Sequence, residues 1–127
     1  MEFFAIADVR TDGPTLQAEV TLERLAEFCA SIDAVIDHAD DHADIYSVWG
    51  EFRVFREEIN GGVRFTLPKC PNAFAWTVTT GYPPAPGSVV VHGTINRTEH
   101  DPDFIETLEQ FVEDWRIGLE RSLAGAA

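Results

Sequence analysis

The fold turns on one stretch, TLERLAEFCASIDAVIDHADDHAD, residues 21 to 44. Thr21 reads as an N-cap, with Glu23 in the first turn where the helix dipole favours an acid. Leu22, Leu25, Cys29, Ile32 and Ile36 then recur at helical spacing, flanked by Phe28 and Val35. The spacing predicts an amphipathic helix from Thr21 to about Ala39, with Cys29 buried in its stripe. The stretch closes on a doubled tetrad, Asp37-His38-Ala39-Asp40 and Asp41-His42-Ala43-Asp44.

Upstream, Phe3 to Arg10 alternates loosely and reads as a strand, and Asp12-Gly13-Pro14 is a turn signal. Leu16 to Val20 reads equally as a short strand or an extended lead-in. Downstream, Ile45 to Ile59 is one long run of strand formers. Asn60-Gly61-Gly62 closes a hairpin into Val63–Leu67. After the turn Pro68-Lys69-Cys70-Pro71-Asn72 come a strand over 73–82, the stiff loop Pro83-Pro84-Ala85-Pro86-Gly87, and a strand over 88–97. Asp101-Pro102 starts a long C-terminal helix whose stripe is Phe104, Leu108, Phe111, Val112, Trp115, Leu119 and Leu123. The expected architecture is α+β and two-layered. A four-strand antiparallel meander plus the N-terminal strand carries an internal helix and a long C-terminal helix on one face. Residues 1–127 make a single domain, with 124–127 a frayed tail.

Alternation of side chains then separates the two faces of the meander. The face under the helices takes Val48, Phe52, Val54, Val63, Phe65, Leu67, Phe74, Trp76, Val78, Val89, Val91 and Ile95. The other takes Trp49, Glu51, Arg53, Phe55, Arg64, Val90 and His92 among threonines and alanines. Three readings of this second face stay open. It is an ordinary exposed sheet face, a homodimer interface enriched in aromatics and Arg, or a ligand pocket with the proline-rich loop as its lip.

The doubled tetrad also has competing readings. On a helix, His38 and His42 stand a turn apart and with Asp41 could hold a divalent transition metal. They could equally handle protons, or be the solvated end of a helix and the turn after it. The opposed preferences of Asp and His at a helix C-terminus favour the turn. No cofactor is otherwise indicated. Cys70 beside Lys69 is a candidate nucleophile without a visible histidine partner. Glu51 and His92 are a candidate acid–base pair if the register brings them together. No nucleophile-elbow spacing appears.

Composition narrows the partners. Twenty-two acids against nine bases give a net charge of −13, with Lys69 the sole lysine. Such a surface disfavours nucleic acids and anionic membranes. It suits plain solubility, a basic protein partner, or adaptation to high salt. The opening residues lack the basic flank of a secretory signal, so a cytoplasmic location with free thiols is expected. The order of elements resembles that of small ligand binders with a helix across a curved sheet, though with too few clear strands after the first helix. Size and charge resemble those of small acidic dimeric secretion chaperones, which carry a helix within the strand run that is absent here. No motif carries either likeness, so no residues transfer.

The resulting expectation is a small soluble acidic binding or interaction module, homodimeric through the free sheet face, rather than an enzyme. The alternative is a small-molecule-binding domain or enzyme with its pocket on that face beside the proline-rich loop.

Overall fold

Strand β1 (Glu2–Ala7) alternates as expected, with Phe3, Ala5 and Ala7 turned inward and Phe4 and Ile6 outward. The next segment departs from the expected turn followed by a short strand or extended lead-in. Asp12 accepts a hydrogen bond from the Thr15 N–H at 2.7 Å and Pro14 sits in the first turn, so helix α1 runs Gly13–Glu19 and buries Leu16. A capping acid followed by proline is a helix start, and it prevails over the apolar alternation of Leu16 to Val20.

The long helix expected from Thr21 to Ala39 is also replaced. A single 3-10 turn, Leu22–Arg24, leads into a four-residue helix α2, Leu25–Phe28. The Cys29 N–H closes α2 on the Leu25 carbonyl at 3.0 Å, and Cys29 itself is extended, with φ −141° and ψ 113°. Ile32–His38 is then strand β2. Ile32, Val35 and Ile36 are β-branched, so they lose side-chain freedom in a helix and suit a pleated surface. A helix would also have placed Asp37 near its negative end. The doubled tetrad becomes a hairpin: β2 pairs with β3 (His42–Ser47), Asp37 opposite Asp44 and His38 opposite Ala43, around a loop of only Ala39 to Asp41.

The run from Ile45 to Ile59 is likewise two strands. Val48 and Trp49 turn the chain between β3 and β4 (Gly50–Ile59), and Gly50 takes φ +103°, a conformation that favours glycine. The Ser47 hydroxyl braces the turn, accepting from the Trp49 N–H and donating to the Gly50 carbonyl. Strands β5 (Gly62–Thr66), β6 (Ala75–Thr80) and β7 (Val89–Thr94) follow as read from the sequence, and α3 spans Pro102–Leu123. The sheet therefore has seven antiparallel strands in the order β1-β7-β6-β5-β4-β3-β2, two more than expected, and β1 joins it through β7. The computed structural model describes residues 1–123, so the tail expected at 124–127 lies outside the described residues.

The core lies between this sheet and α3. Trp76 on β6 packs edge-on to Phe111 of α3 at 4.8 Å, and Phe65 of β5 lies 5.8 Å from Trp115. Ten of the twelve residues expected to face the helices are buried, Phe52 is half-buried, and Val48 is 53% exposed because it lies in the turn. Arg56 also lies on the inner side, where alternation alone gives no reason to expect a base. Its guanidinium donates to the Gln17 and Val20 carbonyls at 2.6 and 2.9 Å, satisfying the open end of α1.

Gly118 lets α3 lie against α2. A Cβ there would fall 1.8 Å from the Phe28 carbonyl oxygen, a backbone atom that cannot swing aside. Gly118→Ala is expected to cost about 1–3 kcal/mol or more in urea unfolding. Gly87→Ala, where a Cβ meets nothing within 4 Å, should leave the midpoint nearly unchanged.

Candidate functional site

Strand β4 has ten residues, but β5 pairs only with Phe55 to Ile59. The first half of β4 is held by β3 alone. The cause is local. Pro68 cannot donate to a ladder, and the chain from Leu67 turns on itself, with the Cys70 N–H bonded to the Leu67 carbonyl and the Ala73 N–H to the Cys70 carbonyl. This loop diverges from β4 and leaves a gap in the sheet.

On the inner side of the gap is a cleft of about 80 Å³ beneath the first turns of α3, lined by Trp49, Phe52, Leu67, Cys70, Phe74 and Phe104 among others. Its surface is apolar. Trp49 forms one wall. Its ring stands edge-on to Phe74 at 5.5 Å and tilts against Phe111 at 5.2 Å, and its Nε1 donates to Thr107 Oγ1 at 2.9 Å.

On the outer side is a shallow depression of about 610 Å³, lined by Asp44, Glu51, Phe52, Arg53, Phe55, Pro68 and Lys69. Arg53 holds Asp44 with two hydrogen bonds, at 2.9 and 3.2 Å, and these keep the Asp44 carboxyl below the usual carboxylate range. Both groups reach solvent, so the pair orients side chains more than it stabilises the fold. Phe52 lines the cleft and the depression alike.

The residues expected on one face thus divide. Glu51, Arg53 and Phe55 surround the outer depression. Trp49 belongs to the inner side, because it sits in the turn where period-two alternation is interrupted. Arg64 lies between the two ends of the outer face, paired with Glu57 at 2.9 Å. Val90 and His92 line a separate depression across the sheet. The expected Glu51–His92 pair is not formed. His92 shares a row with Thr77, Arg64 and Glu57, and Glu51 lies six residues, about 20 Å, further along the strand from Glu57.

The candidate metal residues are also apart from a common centre. His38 Nε2 is 3.9 Å from Glu23, and His42 Nδ1 is 2.8 Å from Asp41. The helical spacing that would have aimed both rings at one ion is absent, and no cluster of three or more His, Cys, Asp or Glu suited to a metal occurs among the described residues. The gap itself is not expected from the sequence. Its signal there is Pro68 closing β5 after five residues, against a partner strand twice as long.

The two thiols report on this site. Cys29 is fully buried, and burial pushes its thiol well above the ordinary range, whereas Cys70 is partly exposed at the cleft. Ellman's reagent should therefore titrate one thiol in the native protein and two in guanidinium. Cys70→Ser should remove the native reaction, and Cys29→Ser should leave it.

No protein-family model matches this chain, and no curated protein shows significant sequence similarity to it. Among solved structures, a START superfamily protein from Mycobacterium smegmatis superposes with a TM-score of 0.62 at 10% sequence identity. The match covers 100% of this chain and 98% of the other. At that identity the likeness is one of fold: this chain has a START-like α+β fold, a seven-stranded antiparallel sheet with a long C-terminal helix packed against it.

Proposed function

We propose that this chain is a small-molecule-binding domain whose ligand straddles the gap between β4 and the β5–β6 loop. The observation that carries this reading is Phe52, which lines both the apolar cleft under α3 and the polar depression outside it. One amphipathic molecule fits that pair of surfaces. A polar group placed in the cleft would lose water without gaining a partner, at a cost of at least 1–3 kcal/mol by order of magnitude. The ligand's apolar end therefore goes inward and its polar end remains over Arg53, Glu51 and Lys69.

Size limits the ligand further. An apolar cavity of about 150 Å³ takes a benzene ring, so about 80 Å³ admits a short alkyl chain or the edge of a ring. The outer depression, at about 610 Å³, is in the range of small-molecule sites. The START-like fold is compatible with such a role.

Pairing of two copies through the outer face has less to draw on. Trp49, its largest expected anchor, is engaged inside. The exposed apolar residues on this side fall in two groups, Phe4 and Ile6 on β1 with Tyr82 at the same hollow as Phe4, and Tyr46 on β3; β1 and β3 are five positions apart, about 24 Å across the sheet.

Butanol, butylamine and butyrate, with chains short enough for the cleft, form a direct test. A member of the series should raise the melting temperature by several degrees, since a hundredfold excess over Kd supplies about 2.7 kcal/mol. The same member should slow the reaction of Cys70 with Ellman's reagent. Cys70→Trp, which fills the cleft, should abolish the thermal shift, whereas Cys70→Ser should keep it. A series in which no member moves either signal would refute the proposal.

A further inference from the structure

A second depression, of about 370 Å³, lies on the outer face over β1, β7 and β6, separate from the gap. Its floor is made of short side chains, Thr77 and Thr79, with Val90 between larger neighbours. Phe4 and Tyr82 line it while remaining 49% and 43% exposed, so two aromatic rings are partly open to solvent at one hollow. The third aromatic is the His92 imidazole, stacked on Phe4 with centroids 4.4 Å apart and planes at 4°. Glu2 holds the His92 Nε2 at 2.9 Å and adds a carboxylate beside the stack.

We propose that this hollow binds an organic cation, an aromatic or quaternary ammonium group. Charge selects that class. Among the described residues no lysine or arginine lines the hollow, whose polar donors are the neutral Asn60, Thr77 and Thr79 beside the Glu2-bonded His92, and the chain as a whole carries −13, so an anion finds a repulsive field and no lysine or arginine to pair with. A cation finds the negative faces of Phe4 and Tyr82 within a field that concentrates it. The nearest guanidinium in the row, Arg64, is occupied by Glu57. An aromatic body would stack on the same rings and leave its polar groups to the threonine hydroxyls.

The test uses phenyltrimethylammonium and benzoate, matched in size and opposite in charge, at pH 8 and low salt, followed by amide NMR of the intact chain. Phenyltrimethylammonium should shift Thr77, Thr79 and Val90 with a millimolar Kd, and benzoate should not. Tyr82→Ala and Phe4→Ala should each weaken binding about two- to fivefold, the worth of one exposed cation–π contact. Tyr82 lies in a loop, so its variant remains informative if the Phe4 variant destabilises β1. Equal shifts from benzoate would overturn the proposal, as would unaltered binding by the Tyr82 variant. So would shifts of these residues that follow protein concentration alone, which would assign the face to a second copy. Shifts confined to Trp49 and Phe52 would place the cation at the gap and count against this hollow.

Discussion

The contact between the aromatic stripe of α3 and the inner face of β5 and β6 holds the rest of the molecule in place. Phe111 and Trp115 meet Phe65, Phe74 and Trp76 in a continuous set of stacked and edge-on rings. Each such ring buries a large apolar area and gains a further fraction of a kcal/mol or more from its geometry. Around this contact, α2 is pinned to α3 where Gly118 admits the Phe28 carbonyl, and β1 is held against the helix, with the Asp8 N–H donating to Glu120. The arrangement has a cost: the Trp76 and Trp115 indole nitrogens are buried without an acceptor among the described residues. Apolar packing outweighs it. The same filling leaves little room between helix and sheet, so the apolar cleft lies at the end where β5 has already stopped.

Electrostatics is arranged around scarcity. With nine bases for twenty-two acids, arginine is used sparingly and in pairs or triads. Arg24 bridges Glu19 and Glu27, and Arg116 bridges Glu113 and Glu120. Arg53 and Arg64 tie carboxylates on the outer sheet face, and Arg56 is spent on backbone carbonyls. The uncompensated acids remain on the surface, where they set a field for approaching molecules more than they set the fold.

Much of the architecture was legible in the sequence where one period dominated. The stripe Leu108, Phe111, Val112, Trp115, Leu119 of α3 is buried as its spacing required, and Val63, Phe65, Trp76, Val78, Val89 and Val91 face inward as alternation required. The failures come where two patterns coincide. Leu25, Cys29, Ile32 and Ile36 fit a helix by spacing, yet Ile32, Val35 and Ile36 belong to a strand whose partner, β3, was itself hidden inside the doubled tetrad. Trp49 shows the same problem at the site. Alternation assigns it outward, and only the turn at Val48 and Trp49, read together with Gly50, turns it inward. Glu51, Arg53 and Phe55 share the outer face that alternation assigns them, but the gap beside them depends on a mismatch of strand lengths that no single segment displays.

The hydrogen bond from Trp49 to Thr107 fastens the β3–β4 turn to the first turns of α3. Two walls of the cleft are therefore tied directly to each other, and the third is held separately. That wall, Leu67 to Ala73, is secured mainly by short bonds within its own turn and by the Asn96 N–H reaching the Asn72 carbonyl. The helix and the β3–β4 turn thus share a direct tie that this loop lacks.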